Sequence, residues 1–192
     1  MYRQHSELFP SELERFRAGR VALNLESPDL VVRGGSYINV FTRRVERGDI
    51  WISGKLIAKV TTEACPFPAE EIDVTGKLVS PGFIEGHIHV ESSLCDPVHF
   101  AKAALKCGVT SVFTDFHEVG AIAGKNGILE MIAALRSTPV KGLLMTPIEL
   151  PFLPEIQQTV SSLVPAEALS LLAEQGTVGL AEVNGRKITE WL

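Results

Sequence analysis

The chain has 192 residues, of which 45% are hydrophobic and 21% are charged, the composition of an ordinary globular protein. Its net charge of −5 excludes the strongly basic surface that binds nucleic-acid phosphates. The N-terminus lacks the apolar core of a signal peptide, and no apolar run reaches the ~20 residues of a membrane helix. Three cysteines without framework spacing favour a reduced setting, so we expect a cytoplasmic protein with no nucleic-acid or membrane partner.

The first 79 residues predict a short helix followed by a small all-β unit. Residues 11–19 predict the helix, because Ser11 and Glu14 have the spacing of a capping box and Gly19 is a typical end. Short β-type runs then alternate with glycine-containing turns, which is the pattern of successive hairpins. These runs cover residues 30–32, 37–41, 49–52 and 56–60.

From residue 78 onwards, predicted strands and helices alternate. An apolar strand runs from Leu78 to Val90, and a helix is expected from about Asp96 to Lys106 with Asp96 as its N-cap. The later predicted elements are strands 109–115, 140–146 and 177–183, and helices 126–137 and 165–174, the last closed by Gly176. This alternation predicts a parallel sheet with right-handed crossovers over residues 80–192.

The number of β/α units indicates how much of a barrel the sequence contains. Four units are recognisable, whereas a complete β/α barrel has eight and typically about 250 residues. We therefore expect the sequence to be the N-terminal part of a longer protein that carries the first half of a TIM-type barrel. A stand-alone four-stranded α/β domain is the alternative.

The pair His87 and His89 is the strongest chemical signal in the sequence. Residues two apart on a strand project to the same face, so both imidazoles can converge on one point. Imidazole binds transition metals at neutral pH, and a catalytic metal usually has about three protein ligands. Two ordinary half-buried histidines at a strand end would give the same short motif.

Other polar residues follow the predicted strands. In β/α barrels the active site lies at the carboxyl ends of the strands, where these side chains are expected to meet. The strand-end groups are His87 and His89, Asp115 and His117, Thr146 and Glu149, and Glu182. On spacing alone, Asp115 is equally a helix N-cap or turn residue and Glu182 equally a surface glutamate.

Three motifs in order resemble a known family. Residues 81–89, from Pro81 to His89, are similar to the metal-binding signature of the amidohydrolase superfamily. Val90 to Leu94 and Thr114 to Val119 look like the corresponding motifs of the adenine deaminase family. The resemblance implies an N-terminal β-sandwich-type domain over residues 1–79, followed by the first half of an amidohydrolase barrel over residues 80–192.

The same resemblance implies roles for individual residues. His87, His89 and Glu182 would be metal ligands, with manganese or iron as the metal and zinc as a third candidate. Glu182 and His117 would be catalytic. The residues that would line the substrate side are Glu91, Ser92, Asp115 and Glu118. For Ser92 and Ser93, capping of the following turn is at least as good an interpretation.

The function that follows from the resemblance is hydrolytic deamination of adenine to hypoxanthine and ammonia. The partner would be a small purine, and a homo-oligomer is compatible with the sequence. Departures on the substrate side, among them Phe116 where the family typically has proline, leave two alternatives open. These are another amidohydrolase reaction on a cyclic amide or amine, and a catalytically inactive fragment.

Overall fold

The computed structural model of the chain describes residues 9–175 and 177–182. The chain divides into two compact units, Phe9–Pro81 and a second that begins at Gly82. The division predicted from the sequence lies between residues 79 and 80. No helix among the described residues combines the length and the apolarity needed to cross a bilayer.

The first unit begins with helix α1 (Glu12–Ala22). The predicted capping box is confirmed, because the Ser11 hydroxyl accepts from the Glu14 backbone N–H and Glu14 Oε2 accepts from the Ser11 N–H at 2.7 Å. The predicted end at Gly19 was wrong. The left-handed residue that ends the helix is Asn24 (φ 57°), and its N–H and that of Leu25 bind carbonyls of the last turn.

Two small sheets complete this unit. Their strands are β1 (Leu30–Arg33), β2 (Ser36–Asn39), β3 (Arg44–Arg47), β4 (Asp49–Ser53), β5 (Leu56–Thr61), β6 (Glu70–Asp73) and β7 (Leu78–Val79). One sheet has the order β5-β4-β1-β6 and the other β3-β2-β7. The expectation of successive hairpins was incomplete, because β1 pairs with β6, and β2 with β7, in parallel. Val21, Val31 and Trp51 form the buried centre of the unit.

Arg17 on α1 organises the polar edge of this unit. Its guanidinium binds both carboxylate oxygens of Asp29 at 2.7 Å and Glu26 Oε1 at 2.8 Å. Asp29 also accepts the Gly54 N–H at 2.7 Å. The hydrogen bonds from Arg17 and Gly54 hold the pKa of Asp29 at about 2.

The second unit contains a parallel sheet covered by helices. Its strands are β8 (Phe83–Glu85), β9 (Val109–Thr114), β10 (Lys141–Thr146) and β11 (Gly179–Leu180), and its helices are α2 (Pro97–Lys106), α3 (His117–Arg136) and α4 (Pro165–Gln175). Each strand pairs in parallel with the next, in the order β8-β9-β10-β11. This is the arrangement of the first strands of a β/α barrel, so the predicted fold class is confirmed.

Several predicted element bounds in this unit were wrong. Strand β8 ends at Glu85 instead of continuing to Val90, while Leu78 and Val79 pair with β2 as β7. Helix α3 begins at His117, and its path is interrupted at Gly124 (φ 63°), so it consists of two helical segments. Strand β11 covers two residues, and Gly176 and Val183, which the prediction included, lie outside the described residues.

The core of the second unit lies between the helices and the sheet. Ile128, Ile132 and Leu135 on α3 are buried with Val112 of β9 and Leu144 of β10. Residues three, four and seven apart share one helix face, which is why this apolar pattern predicted the buried side of α3.

Acid should weaken the first unit through Asp29. The pKa of Asp29 in the folded protein, about 2, lies below its ordinary value of 3.8. Its contribution to the free energy of unfolding is therefore present above about pH 4 and is lost as the pH falls towards 2. Asp29→Asn should lower the free energy of unfolding at pH 6 by roughly 0.2–1 kcal/mol, the range of exposed ion pairs. Urea titrations between pH 2 and 6 should show this difference vanish at the acid end. Glu70→Gln, an exposed carboxylate on β6, should behave as wild type.

A methyl group at Gly142 should destabilise the second unit. An added Cβ would lie 2.8 Å from Leu135 Cδ2 and 2.9 Å from Leu135 Cγ, inside the packed core. Gly142→Ala should lower the free energy of unfolding by roughly 1–3 kcal/mol, measured by denaturant titration. Gly19→Ala, where an added Cβ meets open space, is the control and should leave stability unchanged or raise it by up to about 1 kcal/mol. Equal stability of the Gly142→Ala protein would contradict this packing.

Candidate metal centre

His87 and His89 lie immediately beyond the carboxyl end of β8. Glu85 ends the strand, and its carboxylate Oε1 accepts the His87 N–H at 3.2 Å. The backbone N–H of Ile88 still donates to the Phe113 carbonyl of β9 at 3.1 Å, so the segment remains aligned with the sheet. The predicted strand was too long, yet the two histidines occupy the predicted edge.

The two imidazoles converge as the His-x-His spacing predicts. His87 Nε2 and His89 Nε2 are 3.1 Å apart, and the rings meet edge to face. Two nitrogens bound to one metal at about 2.0–2.1 Å are separated by roughly 3 Å, so this distance suits a shared ion. His87 is exposed, whereas the side chain of His89 is largely covered.

Glu182 completes the first donor group. Its Oε2 lies 3.5 Å from His87 Nε2, just beyond the end of β11. The ligand atoms of His87, His89 and Glu182 all lie within 4.8 Å of one another. Two neutral imidazoles and a carboxylate are a donor set that manganese, iron and zinc all accept, so these residues fit a divalent metal.

Asp115 lies beneath this group at the end of β9. Its side chain is 4% exposed, and its Oδ1 is 3.0 Å from His89 Nδ1. His117 Nδ1 is 3.2 Å from Oδ1 and 3.1 Å from Oδ2 of the same carboxylate. Burial tends to raise the pKa of Asp115, but the hydrogen bond and charge of His117 outweigh it, and the pKa is lowered.

His117 begins α3 beside the first donor group. Its ring stacks edge to face with His89 at a centroid distance of 4.5 Å and lies 5.0 Å from the Phe152 ring. Burial works to lower its pKa, but the Asp115 carboxylate raises it more, so the net shift is upward. His89, Asp115 and His117 form a second group of donor atoms within 4.8 Å of one another.

Glu91, Ser92 and Glu118 meet at the start of α3. The Ser92 hydroxyl lies 2.6 Å from both carboxylate oxygens of Glu118, and Glu91 Oε1 accepts the Glu118 N–H at 3.2 Å. Burial, followed by the charges of Glu118 and Asp115, raises the pKa of Glu91. It is Ser93 that caps the turn, by donating to the Val90 carbonyl at 2.6 Å.

A cavity of about 270 Å³ adjoins the first donor group. It is bounded by His87, Asp115 and Glu182 on the polar side and by Phe113, Met145 and Leu180 on the apolar side. Apolar walls with a few convergent polar groups are typical of small-molecule sites.

Phe116 has an unusual backbone between Asp115 and His117. It is fully buried, and its φ of 53° lies in the left-handed region that non-glycine residues seldom adopt. Proline, which the resembled family has here, is fixed at a φ of about −65° and cannot take this conformation. A proline at position 116 would therefore require a different backbone in the loop that carries Asp115 and His117.

Two residues that contact the site histidines, Glu85 and Phe152, were not predicted from the sequence. Glu85 binds the His87 backbone, and its place directly before Gly86 and the His-x-His motif was an available signal. Phe152 reaches His117 from the segment after β10, where Leu150 and Leu163 exchange backbone hydrogen bonds. A contact made by a long connection leaves no periodic signal in the sequence.

Comparison with known proteins supports the resemblance. No family model matches the chain. The chain is 32% identical over 163 residues to the adenine deaminase of Halalkalibacterium halodurans, covering 85% of this chain and 28% of that protein. It is 36% identical over 157 residues to the adenine deaminase of Listeria monocytogenes, covering 81% of this chain and 26% of that protein. It thus spans roughly a quarter of the length of these curated relatives.

A solved structure gives a more distant match. The D-hydantoinase from Bacillus sp. AR9 is 21% identical with a TM-score of 0.48, and the match covers 62% of this chain and 27% of that chain. The sequence similarity to the curated proteins confirms the predicted recognition. The chain is therefore similar in sequence to proteins named adenine deaminase, as its motifs had indicated.

Proposed function

We propose that this chain contributes the metal site of a metal-dependent hydrolase that converts adenine to hypoxanthine and ammonia. The observation that carries the proposal is the 3.1 Å approach of His87 Nε2 and His89 Nε2, with the Glu182 carboxylate 3.5 Å from His87. Similarity to proteins named adenine deaminase supports the substrate.

The ligands of the metal would be His87, His89 and Glu182. Manganese or iron is the proposed metal, with zinc as a third candidate, because imidazole and carboxylate bind all three. When bound, such a metal supplies the acidity that lowers the pKa of water towards ~7. The carboxylate of Glu182 would balance part of the metal charge and accept a proton during the reaction.

The substrate side is formed by polar groups that match a purine. Adenine offers an exocyclic amine and ring nitrogens, which require hydrogen-bond partners once they leave water. Glu91 supports such a role, because its buried Oε2 has no hydrogen-bond partner in the described part of the chain. Burial and the neighbouring charges of Glu118 and Asp115 raise the pKa of this carboxyl.

Ser92, Glu118 and His117 would complete this side of the site. Ser92 and Glu118 hold each other at 2.6 Å beside Glu91, and either group can bind an exocyclic amine through an oxygen. His117, with Nδ1 on Asp115, would present Nε2 as the group that moves a proton between substrate and solvent.

A second candidate is hydrolysis of a cyclic amide or amine other than adenine. The observation that favours it is the left-handed backbone of Phe116. A loop that differs in shape at this residue would place Asp115 and His117 differently around a substrate, while His87 and His89 would keep their positions. In either case we propose that the partner of the site is a small molecule. Assembly of the chain into a homo-oligomer is compatible with this proposal.

Metal affinity tests the ligand assignment. The double variant His87→Ala/His89→Ala should lose more than about 100-fold in affinity for zinc and manganese, because the two converging nitrogens are removed. Calorimetric titration of the chain measures the change. His99→Ala is the matched control, since His99 pairs with Asp96 on the exposed start of α2. Unchanged binding in the double variant would remove this site.

Ammonia release from adenine tests the function. A chimera would carry residues 80–192 of this chain in place of the matching segment of the Listeria monocytogenes relative. Loaded with manganese, it should deaminate adenine, and Glu182→Gln should lower kcat/KM by about 10²-fold or more, because a charged ligand is lost. Glu130→Gln, on the exposed side of α3, is the control and should match the parent chimera.

The two parts of the proposal can fail separately. A folded, metal-loaded chimera that hydrolyses a cyclic amide but releases no ammonia from adenine would overturn the substrate. A chimera whose adenine turnover is indifferent to Glu182→Gln would overturn the assigned ligand.

A further inference from the structure

We propose that Asp115 is a positioning residue that fixes His89 and His117 in the same tautomer, with the proton on Nδ1. This inference rests on the proposed metal site and deepens it. The sequence had suggested Asp115 as a substrate contact, whereas its carboxylate is engaged by three N–H groups within the protein. These are His89 Nδ1, His117 Nδ1 and the His117 backbone N–H.

The contacts of the two ring nitrogens of His89 determine its tautomer. Its Nδ1 is 3.0 Å from Asp115 Oδ1, while its Nε2 is 3.1 Å from His87 Nε2. A carboxylate only accepts hydrogen bonds, so the short contact requires the proton to be on Nδ1. A neutral imidazole carries one proton, and the Nε2 lone pair is therefore free to bind the metal.

The tautomer of His117 is determined by the same carboxylate. Its Nδ1 lies 3.1 and 3.2 Å from the two oxygens of Asp115, which again places the proton on Nδ1. The His117 backbone N–H donates to Oδ1 at 3.3 Å and holds the carboxylate against the start of α3. One carboxylate thus leaves two Nε2 lone pairs free, one for the metal and one for proton transfer.

Burial gives Asp115 the rigidity that this role needs. The residue is 4% exposed, and Phe116 beside it is fully buried. A carboxylate that binds the outer nitrogen of a histidine ligand fixes the ring and makes the ligand more basic.

A competing arrangement is a second metal bound by His89, Asp115 and His117. That arrangement would need His89 to bind metals through both nitrogens at once, and therefore to lose both protons. Direct hydrogen bonds need no such loss. The two arrangements differ in metal stoichiometry and in the tautomers of the metal-free chain.

The tautomers can be read directly. The chain has five histidines, and long-range ¹H–¹⁵N correlation spectra of the ¹⁵N-histidine-labelled, metal-free chain in mildly alkaline buffer separate protonated from bare ring nitrogens. We expect Nδ1–H for His89 and His117 in the wild type. In Asp115→Ala both should shift towards the Nε2–H form. An Nε2–H form of His89 in the wild-type chain would overturn the inference without any variant.

Asp96 provides a matched control. It forms a second Asp–His pair, with His99, at the exposed N-cap of α2. Asp96→Asn keeps a good capping residue, so it should change the His99 signals and leave His89 and His117 unchanged. Movement of all three histidines in either variant would indicate a general structural change and would count against a specific role for Asp115.

Metal titration supplies the second measurement. Asp115→Asn should weaken zinc and manganese binding by about 10–100-fold, the effect of losing a partner of a histidine ligand, with one metal per chain retained. If the wild type binds two metals per chain and Asp115→Asn binds only one, Asp115 is a metal ligand and the inference is overturned. If the wild type binds no metal, the proposed function fails, while the tautomer measurement still decides the role of Asp115.

Discussion

The parallel pairing of β8, β9, β10 and β11 is the constraint on which the candidate site depends. Strands that run in parallel end at the same edge, so residues from four separate stretches of sequence are brought together there. The backbone bond from Ile88 to Phe113 extends this alignment beyond the end of β8 and carries His87 and His89 with it. The metal group is therefore a consequence of sheet topology more than of any one motif.

Polar groups buried at this edge of the sheet need hydrogen-bond partners, and the residues of the site provide these partners for one another. Asp115 is almost fully buried, yet three N–H groups surround its carboxylate. Without them, desolvation would favour the neutral acid, and Asp115 could not accept from both histidines. The left-handed Phe116 brings the His117 N–H back onto Asp115, so backbone strain of the order of 1 kcal/mol or more is offset by these bonds.

The sequence predicted the parts of this arrangement that obey a short-range rule. The capping box at Ser11, the N-cap at Asp96 and the apolar face of α3 each follow from spacing along the chain. The two histidines lie beyond the last residue of β8, and their convergence agrees with the spacing of the His-x-His motif. Parallel order followed from the alternation of strands and helices.

The sequence could not predict features that depend on tertiary contact. The parallel pairings of β1 with β6 and of β2 with β7 join segments far apart in the chain. The early start of α3 depends on Phe116 and Gly124 taking left-handed conformations, which a helical periodicity does not reveal. Likewise, nothing in the spacing of Asp115 indicated that one carboxylate would bind two histidines.

The central claim is that His87, His89 and Glu182 bind one divalent metal. X-ray absorption spectroscopy of the zinc-loaded chain tests it most directly, because it identifies the ligand atoms. The claim predicts two imidazole nitrogens and carboxylate or water oxygens at about 2.0–2.2 Å, with the imidazole scattering lost in the His87→Ala/His89→Ala protein. A sulfur shell at about 2.3 Å, or imidazole scattering that survives the double substitution, would contradict it.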